Sequence, residues 1–196
     1  MRAYERIISA AHECADNTNI LTDNGILFVK KIGSEQKLRY LHKIFPKNTN
    51  NDNFITVAGF EAPRGYDEFL SECGGCILFD SVMHLFGLDK SLSRSVDLDD
   101  QRPVYIGTPQ IEFSSERPDE FMREWRPVGV IVANNQIWMT INSTGESALM
   151  DSSRLLRFSS FDHMIDHIIS VLISKIGCGP FREERGTEIE ETMFMA

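Results

Sequence analysis

The chain has 196 residues, 42% hydrophobic and 25% charged, enough for one core that needs neither disulfide staples nor a structural metal. Its 20 basic against 29 acidic residues leave a net charge of −9 and a pI near 5.0, the wrong sign for a protein that lives on phosphate backbones, so nucleic acid is not an expected partner. The apolar runs fall far short of the roughly 20 residues of a membrane-spanning helix, and the first residues do not read as a signal peptide, so cytoplasmic placement is expected.

In chain order, Tyr4, Ile7, Ile8, Ala11 and Ala15 recur at three- and four-residue spacing and predict a helix over residues 3–15. Residues 26–29 (Ile-Leu-Phe-Val), after the turn signal Asp23-Asn24-Gly25, predict a short strand. Leu38, Leu41, Ile44 and Phe45 form a stripe that predicts a second helix from Ser34, closed by Pro46. The asparagine-rich residues 47–53 read as a loop. Pro63 opens another helix with Tyr66, Phe69 and Leu70 on one face, which Gly74 and Gly75 are expected to stop. Residues 76–79 and 83–88 predict two adjacent strands, and the β-branched runs 128–133 and 136–141, separated by Asn134-Asn135, predict a hairpin. Ser159 with Asp162 resembles a capping box, and the stripe Phe161, Ile165, Ile168, Ile169, Leu172, Ile173 and Ile176 predicts a strong helix ended by Gly177. The charged tail beyond Cys178 is expected to be ordered only in part.

Several residue groups invite chemistry. Cys73-Gly74-Gly75-Cys76 is a C-x-x-C, but a thiol-redox pair belongs at a helix N-terminus, and here a helix ends at the first cysteine, so two small semi-buried residues beside a glycine stop are expected. Zinc would need a second ligand pair, and Cys14 and Cys178 have no partner in sequence; the four cysteines do not look like a disulfide framework. His163 and His167 stand at i, i+4 but opposite the apolar stripe, on the solvent side. Ser143-Thr144-Gly145 reads as a turn, and Trp138 as half-buried core. No metal and no cofactor is expected.

The charge is concentrated. Residues 1–60 are net +2, residues 61–124 hold 14 acidic against 6 basic, and residues 125–196 are net −3. Acidic surface commonly serves only solubility, but it also steers basic partners.

The helix at 34–45, then Pro63-x-x-Tyr66-Asp67-Glu68-Phe69-Leu70, then Gly74-Gly75 and a strand pair ending near Phe86-Gly87-Leu88, resembles the SMI1/KNR4 (SUKH) superfamily. The hairpin over 128–141, a turn at 142–146, an extended piece at 155–158 and a last helix from Ser160-Phe161 are similar to that family's C-terminal half. The resemblance implies an α+β domain over residues 34–177, mainly antiparallel sheet with helices against it, preceded by an extension (1–33) and followed by a charged tail (178–196). It implies protein binding without catalytic residues: an immunity protein that neutralises a toxin, often a nuclease, or a regulatory scaffold of the same fold. An enzyme using the Cys73/Cys76 pair or acidic residues is the third alternative. On the immunity reading, Asp97, Asp99, Asp100, Glu112, Glu116, Asp119 and Glu120 form an acidic rim for a basic toxin domain, with Phe113 or Trp125 as apolar anchor.

Overall fold

The computed structural model describes residues 1–33, 39–47, 54–55, 59–89, 104–106 and 124–195. The 3.6-residue stripe near the N-terminus forms α1 (Ala3–Glu13), with Ile7, Ala10 and Ala11 buried. Strands β1 (Ile20–Leu21) and β2 (Leu27–Lys31) follow, and then β3 (Tyr40–Pro46). A helix was expected over β3, with residues 34–38, which would begin it, outside the described residues. Tyr40, Leu41, His42, Ile44 and Phe45 are all buried, and a strand enclosed on both faces reads as a continuous apolar run that periodicity cannot separate from a helix. Pairing with β2 on one side and the next strand on the other decides between them.

The helix opened by Pro63 is α2 (Arg64–Glu72), burying Tyr66 and Phe69. It ends before the glycines, and β4 (Cys73–Leu78) contains both. The stop comes instead from the pairing of Cys73 with Pro46 of β3, which draws the backbone into the sheet at the residue after Glu72. β5 (Met83–Leu85), β6 (Trp125–Val132), β7 (Gln136–Asn142), β8 (Ser147–Met150) and β9 (Leu155–Phe158) complete the described strands. All nine pair antiparallel with their sequence neighbours, in the order β1 to β9. The predicted hairpin is β6–β7, turning at Asn134-Asn135. Strands β1 and β2, from the expected N-terminal extension, belong to the same sheet as the rest.

Helix α3 (Phe161–Lys175) is capped by Ser160, whose Oγ accepts from the His163 N–H. Asp162 does not close a capping box; its carboxylate accepts instead from the Ala3 N–H at 2.7 Å, tying the start of α1 to the start of α3. Arg6 continues this seam to Asp166 at 2.8 Å, so the two helices run side by side in the same direction. The tail is docked: a 3₁₀ turn (Glu183–Arg185) leads into α4 (Gly186–Met193), which buries Ile189 and Met193. The result is the expected α+β fold. No helix among the described residues is long and apolar enough to cross a membrane.

Register shows which face the helices cover. Ile44, Cys76, Leu85, Gly129, Met139, Leu149 and Leu156 form one row across the sheet. Phe158, on the same side as Leu156, meets the His167 ring of α3 at 5.3 Å, so this face lies under the helices. Gly129 is required in that row, because a Cβ there would fall 2.4 Å from the Met139 methyl and 2.5 Å from the His84 carbonyl oxygen. The next row, Lys43, Ile77, His84, Val130, Trp138 and Met150, faces the other way.

Candidate functional site

Of the expected contact residues, Asp97, Asp99, Asp100, Glu112, Phe113, Glu116, Asp119 and Glu120 lie outside the described residues. Trp125 is described, and it is not a surface anchor. It is 1% exposed at the start of β6, part of the main core, with the Arg157 guanidinium over its ring at 5.7 Å. A large aromatic at the start of a strand buried nearly throughout gains more from the core than from water, so the apolar-anchor role falls away for Trp125.

The C-x-x-C pair is more deeply buried than expected: both thiols are inaccessible. The Cys73 thiol donates to the Phe45 and Gly75 carbonyls at 3.3 and 3.0 Å, and burial pushes its pKa up to about 12. Cys76 is raised well above the usual thiol range for the same reason. Thiols held neutral in a core are poor nucleophiles and poor metal ligands. His163 is exposed and holds the Ser159 hydroxyl, while the His167 Nε2 faces the Met193 carbonyl at 2.9 Å. The described residues contain no group of three or more His, Cys, Asp or Glu able to hold a metal ion.

The acidic character of the middle third sits largely on described, ordered structure. Residues 61–89 with Glu124 hold seven acidic residues and one basic, whereas residues 90–123 hold seven acidic and five basic. Glu61, Asp67, Glu68 and Glu72 against Arg64 put a net −3 on α2 and the residues before it, while Asp80, Asp89 and Glu124 lie elsewhere in the fold. Tyr66 and Phe69 turn that helix inward, which leaves Asp67 and Glu72 exposed and Glu68 half-buried. Asp67 and Glu72 make no ion pair among the described residues, while Glu68 is paired with Arg64 at 2.8 Å. Glu5 of α1 joins this surface. Helix α1 packs against α2, and Arg2 at its start is paired with Glu5 at 2.6 Å, its pKa raised first by that bond and then by Glu68 and Glu72, so a guanidinium stands among these carboxylates. The signal was readable in the sequence: acidic residues at 67, 68 and 72 fall opposite the Tyr66/Phe69 stripe. Summing charge over a whole third of the chain hid it.

Among the described residues three other carboxylates are buried, and each is consumed by internal donors. Asp80 holds Arg39 through both oxygens and accepts the Phe181 N–H at 3.0 Å, from a turn in which Phe79, Asp80 and Ser81 all adopt positive φ. Glu190 of α4 caps the β6–β7 hairpin, accepting from the Asn134 and Asn135 N–H groups and the Asn135 amide. Asp151 accepts from the N–H groups of Ser153 and Arg154 and from the Arg154 guanidinium. Asp80 and Glu190 lock the tail onto one end of the sheet, where Phe181 and Glu183 line a shallow polar hollow with Arg39, Ser81, Val132 and Asn134. Carboxylates so occupied position backbone rather than transfer protons.

Cys14 and Cys178, read from sequence as unrelated, form a disulfide with Cα atoms 5.2 Å apart, 164 residues apart in the chain. Sequence spacing cannot show this. The parallel seating of α1 on α3 brings the two C-terminal ends together. Comparison of the chain with protein-family models, with curated proteins and with solved structures gives no match.

Proposed function

We propose that this chain is a cytoplasmic protein-binding domain of immunity type, which neutralises a basic toxin domain by covering its active site. The observation that carries the reading is the outer side of α2, where Asp67 and Glu72 are exposed with no ion pair among the described residues, beside the Glu68–Arg64 and Glu5–Arg2 pairs. A nuclease must attract phosphate, so its cleft is basic, and an acidic cover is steered to it. On a packed helix the backbone is already ordered, so only the side-chain rotamers of these carboxylates have to be fixed on binding. The Pro63-x-x-Tyr66 helix that carries the SMI1/KNR4 resemblance is this same α2. In this proposal Asp97, Asp99, Asp100, Glu112, Glu116, Asp119 and Glu120 remain candidate contact residues for the same partner.

The test uses the partner captured from the native cell and identified by mass spectrometry. Association is then followed by stopped flow for the wild type, for Asp67→Asn/Glu68→Gln/Glu72→Gln, and for Asp97→Asn/Asp99→Asn/Asp100→Asn. Neutralising the face in contact should slow association about tenfold at low salt and flatten its dependence on ionic strength. Unchanged rates in both variants, or a partner without a basic surface, would overturn the proposal.

A further inference from the structure

We propose that the Cys14–Cys178 bond is a redox latch that holds α1 onto the helical layer and releases it on reduction. The larger apolar side chains of α1 that pack on the core, Tyr4, Ile7 and Ile8, lie in its first half, and beyond them only Ala10 and Ala11 are buried. Burial of alanine contributes far less than burial of leucine or isoleucine, so the second half of α1 has little apolar hold of its own. The remaining ties to α3 are the Ala3–Asp162 bond and the Arg6 contacts with Asp166 and Ser170, all in the first half of α1. The C-terminal end of α1 is secured by the disulfide, which follows the helix by one residue.

The chain leaves room for α1 to move alone. Residues 15–17 after the helix are exposed, and the chain is fixed to the sheet from residue 18 onward, where the Thr18 hydroxyl accepts from the Lys31 N–H at 2.7 Å, the Asn19 Oδ1 accepts from the Lys30 N–H at 2.9 Å, and β1 pairs with β2. On the other side, Cys178 lies three residues past α3 and is already placed by it. Opening the bond therefore frees α1 while the sheet and α3 stay folded. The outcome is exposure of the surfaces of α2 and α3 that α1 covers, beside the acidic face already described.

The chemistry balances with a dithiol reductant of the thioredoxin class. Its thiolate attacks the sulfur of Cys178, the half-buried residue of the pair, while Cys14 is buried. The Cys14 sulfur leaves as thiolate and takes up a proton. The second thiol of the reductant then resolves the mixed disulfide, so the protein gains two electrons and two protons and the reductant becomes a disulfide. In a reducing compartment, disulfides of mesophilic proteins are typically transient and redox-sensing, which suits this position.

The experiment uses the full chain and no partner, so its result is separate from the toxin reading. Alkylation in denaturant without reductant should label two cysteines, Cys73 and Cys76, and leave a Cys14–Cys178 cross-linked peptide. Hydrogen exchange is then compared for the oxidised chain, the chain treated with a thioredoxin-class dithiol under native conditions, and Cys14→Ala/Cys178→Ala. The amides of residues 3–13 should exchange about 30-fold faster or more without the bond, with the β6–β7 hairpin unchanged. Four alkylated cysteines in the oxidised chain would overturn the proposal. So would a bond that yields only in denaturant, unchanged α1 protection after reduction, or equal loss of protection in the hairpin, which would make the bond a general staple.

Discussion

His42 predicts an acid sensitivity that can be isolated from every other titrating group. Its ring is fully buried on β3, packed edge-on against Phe79 with centroids 4.9 Å apart, and its Nδ1 accepts a long bond from the Phe79 N–H at 3.4 Å. Nε2 is buried and has no partner among the described residues. Burial pushes the pKa down from 6.5 to about 4, so the folded state holds a neutral ring where the unfolded chain takes up a proton. Between those two values the unfolded state binds more protons, and stability falls as pH falls from about 6.5 to about 4, then levels off. At 1.36 kcal/mol per unit the full loss is about 3 kcal/mol, of which about 2 kcal/mol has gone at pH 5. Replacing His42 with Phe keeps the ring contact and removes both the titration and the orphaned N–H. At pH 7.5 the variant should be close to wild type, because losing a weak bond to Phe79 offsets removal of the unsatisfied donor. At pH 5 it should be the more stable of the two by about 2 kcal/mol. Urea unfolding midpoints at both pH values measure this double difference, in which the carboxylates and His84 cancel. A stability gap that does not change between pH 7.5 and pH 5 would refute the reasoning.

Two further outcomes test the packing. Gly129→Ala places a methyl group against Met139 and the His84 carbonyl, and because that carbonyl is sheet backbone the change should cost about 3 kcal/mol, read as a lowered urea midpoint; a cost below about 1 kcal/mol would mean the row shifts freely. Glu190→Gln leaves the hairpin N–H groups with a neutral acceptor in place of a charged one, which should cost about 1–2 kcal/mol and speed exchange at residues 134 and 135, while Glu190→Ala, which leaves them without any, should cost more.

Periodicity and turn chemistry determined much of the local architecture before any coordinates. α1, α2, α3, the β6–β7 hairpin and the β4–β5 pair all carry their own signals: an amphipathic stripe, a proline at a helix start, an asparagine pair that tolerates a tight turn. These are short-range effects, and short-range sequence records them. The acidic excess of residues 61–124 was also legible, and the spacing of Asp67, Glu68 and Glu72 against Tyr66 and Phe69 places part of it on the outer side of α2.

Tertiary contact decided the rest. β3 is a strand because neighbours on both sides claim its backbone, although its apolar spacing suits a helix equally well. Gly74 and Gly75 lie within a strand because Cys73 is already paired to Pro46. Trp125 is core, since nothing in its sequence neighbourhood states which side of β6 is enclosed. Cys14 meets Cys178 because two helices far apart in sequence lie parallel, a relation that exists only after the sheet has brought its ends together. The opening net charge of −9 is a property of composition alone. The outward placing of Asp67 and Glu72 on α2 is a product of folding, since burial of Tyr66 and Phe69 turns that helix's other side to the surface.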